Sequence, residues 1–388
     1  MDSIFSAKEP SLGYLYQVRY GLMLIVSETN ENAQLLIESI DDVSIETPDN
    51  IDVYQTKMHI NSVSNLTNAS TDLWKTIRVW SEGLKNGQLN LDNCLFNLVT
   101  TAKASLDTIP YKLKQNRTEP RDVDAIQKLF LEESAKTTNA TNQAGYVAFR
   151  NLTDKQQKNL IKNIIVVDAS VDINKAKEKT LLELRHSSLK VESLYERLEG
   201  WFLGQIILQL QGIRNEISAK EVNDKIIDIA DRLKEDNLPD DFNITISQDE
   251  TQLAPYKNQI FVKQMELIGA NQRLINNAIS DYHRAYSQKS RWMRNGLISA
   301  LDELEYDKKL TEDWDRKFAI ISDCNTTDNE ENQKQKGKAF YISHYVDVHP
   351  QIHIKERFKE QYMVTGSCQM LSDKKKMGWH PDFENKIL

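Results

Sequence analysis

"LLIESIDDVSIETPDNIDVYQTKMHI", Leu35 to Ile60, decides how this chain reads. Leu35 to Ile40 is apolar enough for a strand, and Asp42 to Glu46 continues or restarts it with Val43 and Ile45 alternating. Thr47-Pro48-Asp49-Asn50 is turn chemistry, so Ile51 to Met58 reads as the returning strand of a hairpin. A period of two puts Ile51, Val53, Gln55 and Lys57 on one face and Asp52, Tyr54, Thr56 and Met58 on the other. A strand packed between helix and sheet has no use for an ammonium, which costs roughly several kcal/mol there if it is unpaired. Lys57 therefore calls for an anionic neighbour, and Asp42 on the paired strand can supply one. Metal-dependent phosphodiesterases use such an arrangement. Acidic oxygens hold Mg²⁺ beside the scissile phosphate, and a lysine positions the attacking water or stabilises the developing charge.

Outward from the hairpin, "GYLYQVRYGLMLIVS", Gly13 to Ser27, carries Leu15, Val18, Leu22, Ile25 and Val26 at helical spacing. Thr71 to Leu84 predicts an amphipathic helix and Leu95 to Ala104 a strand. Asp154 to Lys162 predicts a helix, Asn163 to Ser170 a buried strand, and Leu194 to Gly212 a long apolar helix. Helix, strand, strand, helix, strand is the order of an α/β domain. Beyond it the character changes. Ser218 and Glu221 stand at capping-box spacing before a helical run to Leu233. Gln259 to Phe318 is helical nearly throughout, and Asp323 to Lys338 reads as a polar loop or flexible insertion. The boundary falls near residue 235, giving domains 1–235 and 236–388, and no internal repeat is visible.

A chain of 388 residues with 40% hydrophobic content can build two ordinary cores. No apolar run approaches the roughly 20 residues that span a bilayer, and Leu22 to Val26 lacks the flanks of a signal peptide, so a soluble, cytoplasmic protein is expected. Cys94, Cys324 and Cys368 are odd in number and far apart, which suggests neither a disulfide framework nor a zinc site. A formal charge of −8 argues against indiscriminate coating of nucleic acid. It leaves room for a local basic track: Lys75, Arg78, Lys85, Lys103, Lys112, Lys114, Arg117 and Arg121. By itself such a run is a solvated face. His344, Asp347, His349 and His353 in "ISHYVDVHPQIHI" read as part of an alternating strand broken at Pro350 rather than as a metal site. Trp292, Trp314 and Trp379 read as core or interface anchors.

Asp42 followed by Gln55-Thr56-Lys57 resembles the PD-(D/E)XK nuclease superfamily, in the variant where Gln replaces the second acidic residue. "GYLYQ", "ESIDDV", "YQTK" and "DLWKTIRVW" together look like the double-stranded DNA endonuclease domain of bacterial anti-phage effectors, of the CBASS-effector type. "RAYSQKSRWMRNG", "YDKKLTEDWDRKF" and "GSCQMLSDKKKMGWHPDF" look like the C-terminal domains of ABC-three-component systems. The Lamassu branch of those systems pairs such an effector with an SMC-like ATPase and a small third subunit. The matches cover most of the chain, thinning from Leu106 to Asn151 and in the polar stretch before Ala339.

The resemblance implies a restriction-endonuclease-like N-terminal domain followed by a mainly α-helical assembly domain. It implies Asp42 as metal ligand, Gln55 as the second ligand or its water-mediated substitute, and Lys57 as the catalytic lysine. Glu38 and Asp41 are further acidic candidates, Glu38 also as a ligand; either Asp41 or Asp42 can be the motif aspartate, and Asp42 is favoured because it directly precedes Val43-Ser44-Ile45. Gln17 faces the same site from the first helix and is counted with Lys75 and Arg78 as a nucleic-acid contact. The cofactor expected is Mg²⁺ or Mn²⁺. The substrate is double-stranded DNA cut with little sequence preference, and the active form is a homo-oligomer. A catalytically degenerate nuclease fold that binds DNA or docks partners is the alternative.

Overall fold

The computed structural model describes residues 8–39, 41–59, 64–89, 91–115, 121–242, 254–322, 329–347 and 352–387. The chain divides into two units, Met1–Ala230 and Asp231–Leu388. The first is mixed α/β and the second mainly helical.

The first unit opens with α1 (Lys8–Val26), followed by a meander of β1 (Gln34–Ile37), β2 (Val43–Glu46) and β3 (Ile51–Lys57). Both pairings of the meander are antiparallel, with Leu35 opposite Ile45 and Val43 opposite Tyr54. The β2–β3 turn is closed by Thr47. Its backbone N–H donates to Asn50 O at 2.8 Å, and its hydroxyl accepts from Asn50 N at 3.0 Å. A threonine hydroxyl that mimics a backbone partner in this way is the reason Thr-Pro-Asp-Asn turns the chain. After a short β4 (Asn65–Leu66), α2 (Thr71–Lys85) crosses over to β5 (Cys94–Thr100), which runs parallel to β3 from Ile51–Cys94 to Lys57–Thr100. The order of the main sheet is β7-β5-β3-β2-β1-β8, with β7 (Ile164–Val167) parallel to β5 and β8 (Ile217–Ser218) antiparallel to β1. A second, two-stranded parallel sheet pairs β4 with β6 (Lys103–Ala104).

Period two sorts the sheet's side chains onto two cores. Val53, Phe96 and Leu98 pack with Leu73, Trp74, Ile77 and Trp80 of α2. Tyr54 and Val99 point the other way, onto Tyr16 and Tyr20 of α1. Between Leu106 and Asn151, where the sequence offered no element, the chain forms α3 (Ile109–Lys112), α4 (Val123–Ser134) and α5 (Gln143–Arg150), of which α5 packs on α2 and α4 reaches it through Phe130. Asp122 caps α4, accepting from Ala125 N at 3.0 Å. Gly145 is where α5 meets α2, since a Cβ there would overlap the Trp74 carbonyl oxygen. Trp74 is boxed by Tyr146 at 4.5 Å and Phe130 at 5.5 Å between ring centroids. The first unit continues through α6 (Asp154–Asn163), α7 (Ile173–Leu184) and α8 (Val191–Leu210); α9 (Ala219–Arg232) straddles the division. Ser218 caps α9, accepting from Glu221 N at 3.1 Å.

In the second unit, Gln272–Arg294, Ala300–Ser322 and Gln361–Asp373 are the long helices. Trp292, Trp314 and Trp379 all sit in its core. Two of the indoles satisfy their N–H groups internally: Trp292 donates to Pro239 O at 2.9 Å and Trp314 to Gly378 O at 3.0 Å. Of the two readings offered for these tryptophans, core residue is the one the structure shows: Trp379 is fully buried, and Gly378 lies so close to the Phe383 ring that a Cβ would overlap it. Two readings change. The stretch expected to be a polar loop forms a helix over Glu330–Tyr341, capped by Asn329, which accepts from Asn332 N at 2.9 Å; residues 323–328 lie outside the described residues. "ISHYVD" is a π-helical continuation, Ile342–Asp347, not a strand, and His349 and Pro350 lie outside the described residues. Along this wound backbone Phe340 and His344, four apart, stack on each other at 5.4 Å. Cys94 and Cys368 are buried free thiols, and Cys324 is outside the described residues. No described helix is long and apolar enough to cross a membrane.

Candidate active site at the end of β3

The candidate residues gather where β1 passes to β2 and where β3 ends. Asp42 precedes β2, and its Oδ2 accepts two hydrogen bonds from Thr56 of β3, from the backbone N–H at 2.7 Å and from the hydroxyl at 3.0 Å. Continuing the Val43–Tyr54 register by one step sets Asp42 opposite Gln55. Asp42 Oδ1 takes no hydrogen bond from a described residue. The loop is drawn tight by Glu38 N donating to Asp42 O at 3.1 Å, and Glu38 itself has φ of 55°, a left-handed conformation that costs a non-glycine residue strain. Such strain persists only where the surroundings over-determine it.

Asp41 behaves differently from its neighbour. Its Oδ2 accepts from Trp80 Nε1 on α2 at 2.6 Å, and its Oδ1 accepts from Asp42 N at 3.0 Å. Both oxygens are engaged inside the protein. Burial and the adjacent Asp42 carboxylate push the Asp41 carboxyl up to about 7, against the opposing pull of the two hydrogen bonds and of Lys57. Glu38 is also raised, first by burial and then by Asp42, with a Gln17 hydrogen bond and Lys57 opposing. Gln17 and Tyr14 reach this loop from α1. Burial and then Glu38 raise the Tyr14 hydroxyl, and Tyr14 Oη and Gln17 Oε1 are both buried without a hydrogen-bond partner among the described residues.

Gln55 is buried, at 6% exposure, on the same face of β3 as Val53. Lys57 at the strand's end is only half-buried, which corrects the expectation of an ammonium sunk in an apolar face. Asp42 is engaged by Thr56 rather than by Lys57, and among the described residues Lys57 has no ion-pair partner. Its charge still reaches the acidic loop, as its pull on Glu38 and Asp41 records. Lys75 and Arg78 are exposed on the outer stripe of α2, Arg78 facing Glu82 at 4.0 Å, while Trp80 on the inner stripe contacts Asp41. The structure thus groups Gln17, Glu38, Asp41, Asp42, Gln55 and Lys57 at one strand end and leaves Lys75 and Arg78 outside that group.

Thr56, Trp80 and Tyr14 were missed by sequence reasoning. Thr56 stood on the other face of the strand, and an indole at the end of an amphipathic helix reads as core packing; only the three-dimensional pairing shows which carboxylate each one serves.

The donor set open to a metal ion is hard oxygen: Asp42 Oδ1, the Glu38 carboxylate and the Gln55 amide oxygen. Among the described residues no three His, Cys, Asp or Glu side chains group as ligands. One or two carboxylates with the rest of the shell made by water and phosphate is how Mg²⁺ is usually held, so the residues present fit that ion.

Residues 261–387 match the family model of C-terminal domain 7 of the ABC-three component (ABC-3C) systems. The match lies within the second unit and does not extend to the first. No curated protein matches the chain. Among solved structures it is similar to the Cap4 SAVED/CARF-domain containing receptor of Moraxella osloensis, with 16% identity over 72% of this chain and 69% of that one at a TM-score of 0.35. It is also similar to the Acinetobacter baumannii Cap4 receptor with the cyclic trinucleotide 3'3'3'-cAAA, with 14% identity, the same coverage and a TM-score of 0.33. Likeness of this degree fixes neither fold nor function.

Proposed function

We propose that the first unit is a Mg²⁺- or Mn²⁺-dependent endonuclease acting on double-stranded DNA with little sequence preference. In this reading the chain is the effector of a Lamassu-type complex with an SMC-like ATPase and a small third subunit, and works as a homo-oligomer. The observation that carries the reading is the Asp42 carboxylate, held through Oδ2 by Thr56, beside the Lys57 ammonium, which among the described residues has no ion-pair partner. The chain order α1-β1-β2-β3-α2-β5, with an antiparallel meander feeding a parallel strand, supports a restriction-endonuclease-like core.

Asp42 and Glu38, with Gln55, would hold the metal, which when bound supplies a polarised phosphate and a water of lowered pKa. Thr56 holds Asp42 in one orientation, so no reorganisation is needed as substrate arrives. Lys57, with no counter-ion among the described residues, can donate to a phosphate oxygen or orient the attacking water as negative charge develops. Trp80 keeps Asp41 turned away from that work. Lys75 and Arg78 would meet the DNA backbone.

The test is cleavage of supercoiled plasmid by the full chain with Mg²⁺, with EDTA, and with the Asp42→Asn variant. Cleavage that survives chelation or Asp42→Asn would overturn the reading. The neutral Gln55 and the lack of a three-acid group among the described residues favour a second reading, a degenerate nuclease fold that binds DNA without cutting it. Retention of DNA on a gel with no nicking in any divalent cation, alone or with the partner subunits, would select it.

A further inference from the structure

The second unit holds a cavity of about 350 Å³ lined by the Gln272–Arg294 helix, by Tyr341 and by the first turns of the Gln361–Asp373 helix. Two opposite charges, Asp281 and Arg284, line it from one helical face, three residues apart. They do not pair with each other within 4 Å. Each is instead held by a different neighbour. Asp281 Oδ2 accepts from the Thr365 hydroxyl at 2.7 Å. Arg284 donates through Nε to Phe242 O at 2.6 Å, and its guanidinium lies 3.7 Å over the Tyr362 ring, whose hydroxyl donates to Asp240 Oδ1 at 2.8 Å.

The mounting is rigid. Gly366 brings the two helices so close that a Cβ there would stand 2.6 Å from Ala285 Cβ and closer still to the Asp281 carbonyl oxygen. Ser280 lines the same cavity at 6% exposure, and its hydroxyl has no hydrogen-bond partner among the described residues. A buried hydroxyl left unpaired costs free energy unless something fills the space beside it. The Asp281 carboxyl is pushed up to about 6 chiefly by burial, the Thr365 hydrogen bond and Arg284 opposing, so its charge is kept at a disadvantage that an incoming cation would relieve.

A ligand for this cavity must bring a cation to Asp281, an anion to Arg284 and a hydrogen-bonding group to Ser280, all within the span of one helical turn. A lone cation would face Arg284, and a lone anion would face Asp281 and Glu360. We propose that the cavity binds a small zwitterion, a free α-amino acid, with its ammonium on Asp281 and its carboxylate on Arg284. Ligand cavities of this size are ordinary for small metabolites. The site lies wholly within the second unit and is independent of the nuclease reading.

The test is calorimetric titration of the full chain with each proteinogenic amino acid singly at millimolar concentration. Agmatine, which lacks the acid, and succinate, which lacks the amine, serve as controls. The expected result is that at least one amino acid binds, tighter than either control, and that Asp281→Asn and Arg284→Gln each weaken it tenfold or more. Should Arg284→Gln fail to fold, Asp281→Asn decides on its own, because it removes a buried charge and keeps the Thr365 partner. The proposal is overturned if no amino acid binds, if a control binds as tightly, or if either folded variant retains the affinity.

Discussion

Lys57 and Lys289 stand in the two units as opposite solutions to the same problem. Lys289 is the more buried, with a side chain 3% exposed, yet it is satisfied: Asp307 lies at 3.2 Å, Glu303 at 3.5 Å and the Tyr306 ring centroid at 5.3 Å. Lys57 is half-buried and has no ion-pair partner among the described residues. Burial alone therefore does not separate a structural lysine from the one proposed to act on DNA. A cation enclosed by its own counter-ions holds helices together, and one left open beside a fixed carboxylate is available to a substrate.

The sharpest way to break that contrast is to remove both ammonium groups in turn. Lys57→Ala should lower plasmid cleavage by roughly two to three orders of magnitude, the usual cost of deleting a group that stabilises developing charge. Its melting temperature should stay near that of the parent, because no ion pair with a described residue is lost. Asp42→Asn should be as damaging, and Asp41→Asn milder, since both Asp41 oxygens are engaged by Trp80 and the Asp42 amide. Wild-type activity in Lys57→Ala, or an Asp41→Asn worse than Asp42→Asn, would exchange the roles assigned here.

Lys289→Ala should do the reverse. It strands Glu303 and Asp307 around a vacated site, and breaking a buried pair in this way costs about 3–5 kcal/mol. Denaturant midpoints of the full chain would register the loss. A neutral result would mean that the two acids find other partners, and the comparison with Lys57 would lose its force.

Asp281→Asn should stabilise the second unit. The carboxyl is raised from 3.8 to about 6 in the folded state, so ionising it is harder there than in the unfolded chain. The folded state suffers no penalty below pH 4, loses stability as pH rises between roughly 4 and 6, and carries the full disadvantage above that window. Two pKa units correspond to about 3 kcal/mol. Unfolding curves at pH 4 and pH 7 should therefore coincide at the lower pH and separate at the higher one, with the variant the more stable.

The strands β1, β2, β3, β5 and β7 were legible because period two is short and the Thr-Pro-Asp-Asn turn announces itself, whereas the two-residue β4 and β8 are too short to show a period. Asp42, Gln55 and Lys57 were legible for the same reason, as polar residues set into that pattern. The α3 to α5 helices were not, because their packing depends on Gly145 and the rings around Trp74, contacts that have no local signature. Nor was the partner of Asp42. Sequence spacing suggested Lys57, whereas Thr56 wins because its backbone N–H and hydroxyl converge on one oxygen at bonding distance. The Glu330–Tyr341 helix was hidden by its polar outer surface, though Asn329 is an ordinary cap and Phe340 and Tyr341 supply its buried end.

The smallest effect expected is on the outer stripe of α2. Lys75 and Arg78 are exposed, and Arg78 is engaged only loosely, 4.0 Å from Glu82, so replacing both by Ala should leave stability nearly unchanged. If they meet phosphates, each contributes about 0.9 to the slope of log affinity against log salt, and the double variant should flatten that slope by roughly two. The loss should be alike on all DNA sequences, because phosphate contacts position the duplex without reading it. Filter binding of the full chain to two unrelated duplexes across a salt series would measure both quantities. An unchanged slope would remove α2 from the DNA surface and confine substrate contact to the strand end that carries Asp42 and Lys57.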